Sequence, residues 1–165
     1  MITRRILLAW LLPAALACTA AGAAFASPEQ PEPLSAFPQS LLAIRTQAGR
    51  VINFKIWSAD TPARKEQGLM YVREMDEHAG MWFLFPTPQR EAMWMKNTYL
   101  SLDLLFVDAQ GRIDFIAERA QPLSLDIIQA PRPVIAVLEL NGGSCARLGI
   151  HTGDLVLHAS LKAPH

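Results

Sequence analysis

The sequence predicts a mainly β (β-rich α+β) domain: an antiparallel sandwich or a partly closed, jelly-roll-like barrel with two short helices. Three observations predict it. Apolar and polar residues alternate over short runs such as LLAIRTQ and RVINFKIW, the pattern of half-buried strands. Turn-forming residues separate those runs at close intervals. Strand–helix–strand units do not repeat along the chain, which argues against a doubly wound fold. An apolar content of 51% in 165 residues suffices for one core, and neither an internal repeat nor a second domain is visible.

The elements follow in order. Residues 1–26 read as a secretory signal peptide: Arg4 and Arg5, an uncharged apolar run from Ile6 to Ala17, then Ala24-Phe25-Ala26 as the cleavage site. The run is too short for a membrane span, so no transmembrane helix is expected in the mature chain, which would be periplasmic or secreted. Ala15-Leu16-Ala17-Cys18 offers an alternative, a lipoprotein anchored at Cys18. Residues 27–40, with prolines at 28, 31, 33 and 38, read as an extended tether. Residues 41–161 form the β-rich domain and 162–165 a tail.

Within the domain, the runs flanking Ala48-Gly49 predict a hairpin. Asp60-Thr61-Pro62 supplies an N-cap and a first-turn proline for a helix through ARKEQGLMY, in which Gly68 implies an early end or a close packing contact. MWFLF, bounded by Gly80 and Pro86-Thr87-Pro88, is a buried strand. Strands also fall on Ala92–Met95, Leu100–Asp108, RIDFIAER, VIAVLEL and LVLHASL. QPLSLDIIQAPRP is a long connection, and a second helix through SCARL stops at Gly149.

Charge and cysteine usage narrow the function. Loss of Arg4 and Arg5 on export leaves 13 basic against 15 acidic residues and no basic patch, so nucleic acid is not an expected partner. Cys145 is then the single thiol, cannot form an internal disulfide, and is expected to be a small buried residue. The chain has no zinc spacing, no nucleophile elbow and no phosphate loop, and implies no cofactor.

The blocks Gln67-Gly68-Leu69-Met70-Tyr71, Gly80-Met81-Trp82-Phe83-Leu84-Phe85, Trp94-Met95-Lys96-Asn97-Thr98, Leu102 to Asp108, Val137-Leu138-Glu139-Leu140 and Leu148-Gly149-Ile150 with Gly153-Asp154 resemble, in order, those of domain-of-unknown-function family 192. The likeness covers about residues 45–161. It implies a mainly β, jelly-roll-like domain often exported in bacteria, and it brings no established activity. Ser101 stands where that family commonly has proline before Leu-Asp, Val72 replaces a polar residue, and Lys65 stands where arginine is commoner. The last two changes weaken any basic cluster beside the first helix.

Four polar residues are the candidate ligand-binding set: Lys96, Asn97, Asp103 and Glu139. Strand alternation puts Asp103 on one face with Leu105 and Val107, where a carboxylate must find a cation or several donors. It either staples a crossing, accepting from backbone amides or from Lys96, or joins Lys96 and Asn97 in a pocket for an anionic or hydroxyl-rich ligand. Glu139 could complete that pocket or lie on a solvated face. Two readings compete with a non-enzymatic binding or accessory domain of the envelope. A glycan or ester hydrolase would use Asp103 and Glu139 as an acid–base pair. A copper-handling protein would use His78 and the methionines at 70, 75, 81, 93 and 95, which otherwise fill core gaps. Trp57, Trp82 and Trp94 could stack on sugars, with Trp82 expected in the core.

Overall fold

The structure is a computed structural model that describes residues 30–161. The expected signal peptide, the alternative anchor at Cys18, the start of the expected tether and the tail at 162–165 lie outside these described residues. Nine strands follow one another along the chain: β1 (Gln39–Arg45), β2 (Val51–Ala59), β3 (Ala79–Gln89), β4 (Ala92–Met93), β5 (Leu102–Val107), β6 (Ile113–Ala120), β7 (Ile128–Gln129), β8 (Val134–Asn141) and β9 (Leu155–Leu157). Two helices interrupt them, α1 (Pro62–Gln67) after β2 and α2 (Ser144–Leu148) after β8.

Seven strands make one sheet in the order β6-β5-β8-β3-β2-β1-β9, while β4 and β7 pair separately. Every pairing is antiparallel except β2 with β3, which run parallel across the crossover carrying α1. The sheet curls until its ends meet. An antiparallel bridge joins Arg112 to Leu155, the Ile113 amide donates to the Asp154 carbonyl at 2.9 Å, and the Val156 amide donates to the Gly111 carbonyl at 2.8 Å. Of the two expected forms, the partly closed barrel is the one present, and its seam is stitched at one end.

Local chemistry explains the helices. Thr61 caps α1, its hydroxyl accepting from the Arg64 amide at 3.2 Å, and Pro62 occupies the first turn, where its missing N–H costs nothing. The helix ends at Gly68, which has φ 51°, and a Cβ there would stand 3.2 Å from the Phe83 ring; both expected roles of this glycine are present. Gly149, left-handed at φ 63°, closes α2.

Three elements depart from the sequence expectation. The proline-rich stretch is not a free tether throughout. Leu34–Ala36 form a 3-10 turn, Phe37 is buried, and Arg64 grips Glu32 through Nε at 2.9 Å and Nη2 at 2.7 Å. Prolines suit this segment because it packs through side chains and needs few backbone donors. Strand β3 runs on past Pro86 and Pro88 to Gln89, where its register with β8 slips; proline is tolerated where no ladder N–H is required. The expected strand at Ala92–Met95 shrinks to two residues, because the chain turns at Lys96-Asn97.

Each face of the sheet carries a core. The inner one draws on all seven strands, with Leu42, Phe54, Ile56, Trp82, Leu105, Leu138 and Val156 among its members, and Cys145 of α2 enters it. The outer one lies under loops: Met81, Phe83, Leu104, Phe106 and Val137 from the sheet are covered by Phe37, Leu69 and Met95.

Candidate functional site

Asp103, fully buried on β5, shares its face with Leu105 and Val107 of the inner core. Opposite it, β6 bulges: Leu102 pairs with Ala120 and Leu104 with Ala117, leaving Glu118 and Arg119 to span one position. Arg119 adopts φ 49° there, and its amide donates to Asp103 Oδ1 at 2.8 Å. The Gly143 amide donates to the same oxygen at 2.9 Å, and the Cys145 amide to Oδ2 at 2.8 Å. Gly143 has no side chain to cap α2, so the sheet supplies the cap. The carboxylate ties the β6 bulge, the turn after β8 and the start of α2 to one point. Three charge-assisted hydrogen bonds, not Lys96, satisfy it.

Glu139 points the other way. On β8 it pairs with Met81 of β3 and Leu104 of β5, both outer-core residues, whereas its neighbours Leu138 and Leu140 face inward. It is 4% exposed, and its Oε2 has no hydrogen-bond partner among the described residues. Burial pushes its carboxyl up to about 8, so the side chain is a neutral acid at pH 7. The two carboxylates therefore lie on opposite faces of one sheet, one bonded to three amides and the other under the outer core. They cannot flank a common substrate as an acid–base pair.

Lys96 and Asn97 occupy the turn after β4, above the outer face. Asn97 adopts φ 55° and Tyr71 φ 67°. The Tyr71 amide donates to the Asn97 carbonyl at 2.9 Å, and Asn97 Nδ2 donates to the Tyr71 hydroxyl at 2.9 Å. A left-handed backbone is uncommon outside glycine, readily tolerated by asparagine and unusual for tyrosine. Lys96 Nζ stands 4.9 Å from the Trp94 ring centroid. These side chains form one wall of an open depression of about 320 Å³, whose other walls are the end of α1, with Glu66 and Gln67, and the segment at Gln30–Glu32. Among the described residues, Arg64 bridges Glu32 and Asp60 and holds both carboxyls below their usual range. Lys96 and Glu66 make no ion pair or side-chain hydrogen bond there, so the depression presents one cation, the Glu66 carboxylate beside the Arg64-paired Glu32, the carboxamides of Gln30, Gln67 and Asn97, and a phenol.

The remaining sequence candidates fall elsewhere. Met81 and Met95 are buried in the outer core, while the His78 ring lies 5.7 Å from Phe54 of the inner core, so the methionines and histidine do not converge. No cluster of three or more His, Cys, Asp or Glu able to hold a metal occurs among the described residues. Cys145 is fully buried, and burial reinforced by neighbouring Asp103 pushes its thiol far up, which makes it unreactive. Trp82 is core, as expected, and Trp94 is the half-exposed one beside the depression. Tyr71, Glu66 and Gln67 were not singled out as site residues, because only tertiary folding carries α1 to the turn at Asn97.

A curled, mainly β half-barrel with two short helices and a loop-built depression above its convex face defines the class of this protein. Its sequence matches domain-of-unknown-function family 192, described as "Uncharacterized ACR", over residues 43–158, and the chain belongs to that family. It is similar to a solved protein from Sinorhizobium meliloti, provisionally described as a transcription regulator, at 42% identity and a TM-score of 0.74, covering 76% of this chain and 97% of that one. It is also similar to a protein of unknown function from Novosphingobium aromaticivorans, at 36% identity and a TM-score of 0.73, covering 81% and 94%. No match was found among curated proteins. Both solved relatives are covered almost whole by about four-fifths of this chain.

Proposed function

We propose that this protein is a non-enzymatic binding domain of the bacterial cell envelope. In this reading it holds a small, hydroxyl-rich or anionic ligand in the depression between α1 and the Lys96-Asn97 turn. The observation that carries the proposal is the pair Asn97 and Tyr71, both held at positive φ and locked to each other by backbone and side-chain hydrogen bonds beside a cation with no carboxylate partner. Backbone strain concentrated at a cleft is a mark of binding sites. A volume of about 320 Å³ suits a small molecule. Lys96 would meet an anionic group, while the Asn97 carboxamide and Tyr71 hydroxyl would order hydroxyls. The envelope location rests on the basic start at Arg4 and Arg5, the apolar run at Ile6–Ala17 and the small residues ending at Ala26.

Isothermal titration of the chain beginning at Ser27 against inorganic phosphate, hydroxy acids and neutral sugars tests the proposal. At least one class should bind, and Lys96→Ala or Asn97→Ala should weaken it about tenfold or more, the loss of one hydrogen-bonded contact. Binding that survives both substitutions, or no binding from any class, refutes it.

A further inference from the structure

We propose that a second surface, built by the 94–99 turn, Tyr71–Arg73 and residues 123–127, docks on an anionic phospholipid bilayer. Eight large hydrophobic side chains are exposed among the described residues, and six gather here: Tyr71, Trp94, Tyr99, Leu123, Leu125 and Ile127. Their backbones are tied together. The Leu123 amide donates to the Thr98 carbonyl and the Met95 amide to the Ser124 carbonyl, each at 3.1 Å. Met93 pairs with Ile128, which sets Trp94 beside Ile127, and the Tyr71 and Tyr99 rings meet edge to face at 6.5 Å. A contiguous apolar surface of this kind marks an interaction site.

The surface combines the three kinds of side chain that a bilayer interface takes up. Leu123, in the turn after Gln121, and Leu125 and Ile127, in the irregular segment before β7, are 54%, 67% and 63% exposed, so three aliphatic side chains meet solvent within five residues. Leu123 is held at φ 62°, an unfavourable conformation for leucine that its exposed side chain does not recoup by burial. In the same surface stand the aromatic rings, two of them with a cation over the ring: Lys96 over Trp94 at 4.9 Å and Arg73 over Tyr99 at 4.6 Å. Neither forms an ion pair among the described residues. On a bilayer the aliphatic side chains would enter the acyl boundary, Trp and Tyr would sit at the headgroups, and Lys and Arg would meet the phosphates, the composition of an interfacial anchor. The single carboxylate within residues 123–127, Asp126, accepts from the Ser124 hydroxyl at 2.9 Å. This surface shares Tyr71 and Lys96 with the depression, and the inference requires no ligand there.

Co-sedimentation of the chain beginning at Ser27 with phosphatidylglycerol or phosphatidylcholine vesicles tests it. The expected result is partition at least tenfold stronger onto phosphatidylglycerol. The preference should disappear in the Arg73→Ala/Lys96→Ala variant, and binding should be lost in Leu123→Ser/Leu125→Ser/Ile127→Ser. Leu125→Ser alone, at the most exposed of the three positions, should weaken binding severalfold and keeps the test valid should the triple variant not fold. Absence of binding to phosphatidylglycerol, or binding unaffected by Leu125→Ser, overturns the proposal. So does lipid-free self-association that the triple variant abolishes while vesicles are ignored, an outcome that assigns the surface to a second copy.

Discussion

Asp103 and Glu139 are both buried carboxyl groups on adjacent strands, and they illustrate opposite solutions to the cost of burial. Asp103 offers its charge to three backbone amides drawn from two separate turns. Its removal would strand three buried donors, each leaving a desolvation cost. Asp103→Ala should therefore lower unfolding free energy by about 3 kcal/mol or more, read as a fall in the urea midpoint. Glu139 instead stays protonated. With an ordinary value of 4.5 and a folded value of about 8, both states bind the proton below pH 4.5 and stability is then greatest. Between 4.5 and 8 the unfolded chain ionises while the folded one does not, so stability falls as pH rises, by up to about 1.4 kcal/mol per pH unit. Above 8 both are ionised and the slope ends. Urea titrations at pH 5, 6.5 and 8 should show this decline, and Glu139→Gln should flatten it.

Among elements, those specified by local rules were legible in the sequence. The β1–β2 hairpin, the Thr61 cap with Pro62, and α2 ending at Gly149 all follow from neighbours within a few residues. The face of Asp103 was legible too, because alternation within β5 fixes it. Its relation to Glu139 was not: it depends on the register of β5 with β8, where Asp103 meets Leu140 and Leu104 meets Glu139, and one step of slip would put both carboxylates on one face. The separation of Lys96 from Asp103 was hidden for the same reason. Asp103 takes donors 16, 40 and 42 residues away, beyond any local pattern. The loop at 121–127 makes the converse point, since its conformation opposes local preference. Leu123→Gly would relieve the positive φ at an exposed side chain and should raise stability by about 0.5–1 kcal/mol, measured as a higher thermal midpoint. A gain would mean that leucine at this position does not serve folding.

At the scale of the whole molecule, the mainly β class and the partly closed barrel were readable from strand spacing, but the parallel β2–β3 pair was not, because one crossover among antiparallel strands leaves no periodic trace. That pair places α1 over the outer face and so builds a wall of the depression. The two cores divide the labour. The inner one closes the barrel, whereas the outer one is roofed by loops that carry the exposed polar and aromatic groups. On this frame the roof is the part whose chemistry can vary without disturbing the sheet.

The stitched seam also bears on how the protein behaves in a crowded compartment. An open seven-stranded sheet offers two rows of unpaired amides and carbonyls to any passing strand. Here one terminal strand, β9, is only three residues long, and the other, β6, is pinned to it near Ile113 and kinked by a bulge near Arg119. What remains of either rim is too short and too bent to template a neighbour, so the curl that shapes the barrel also guards it against polymerising edge to edge.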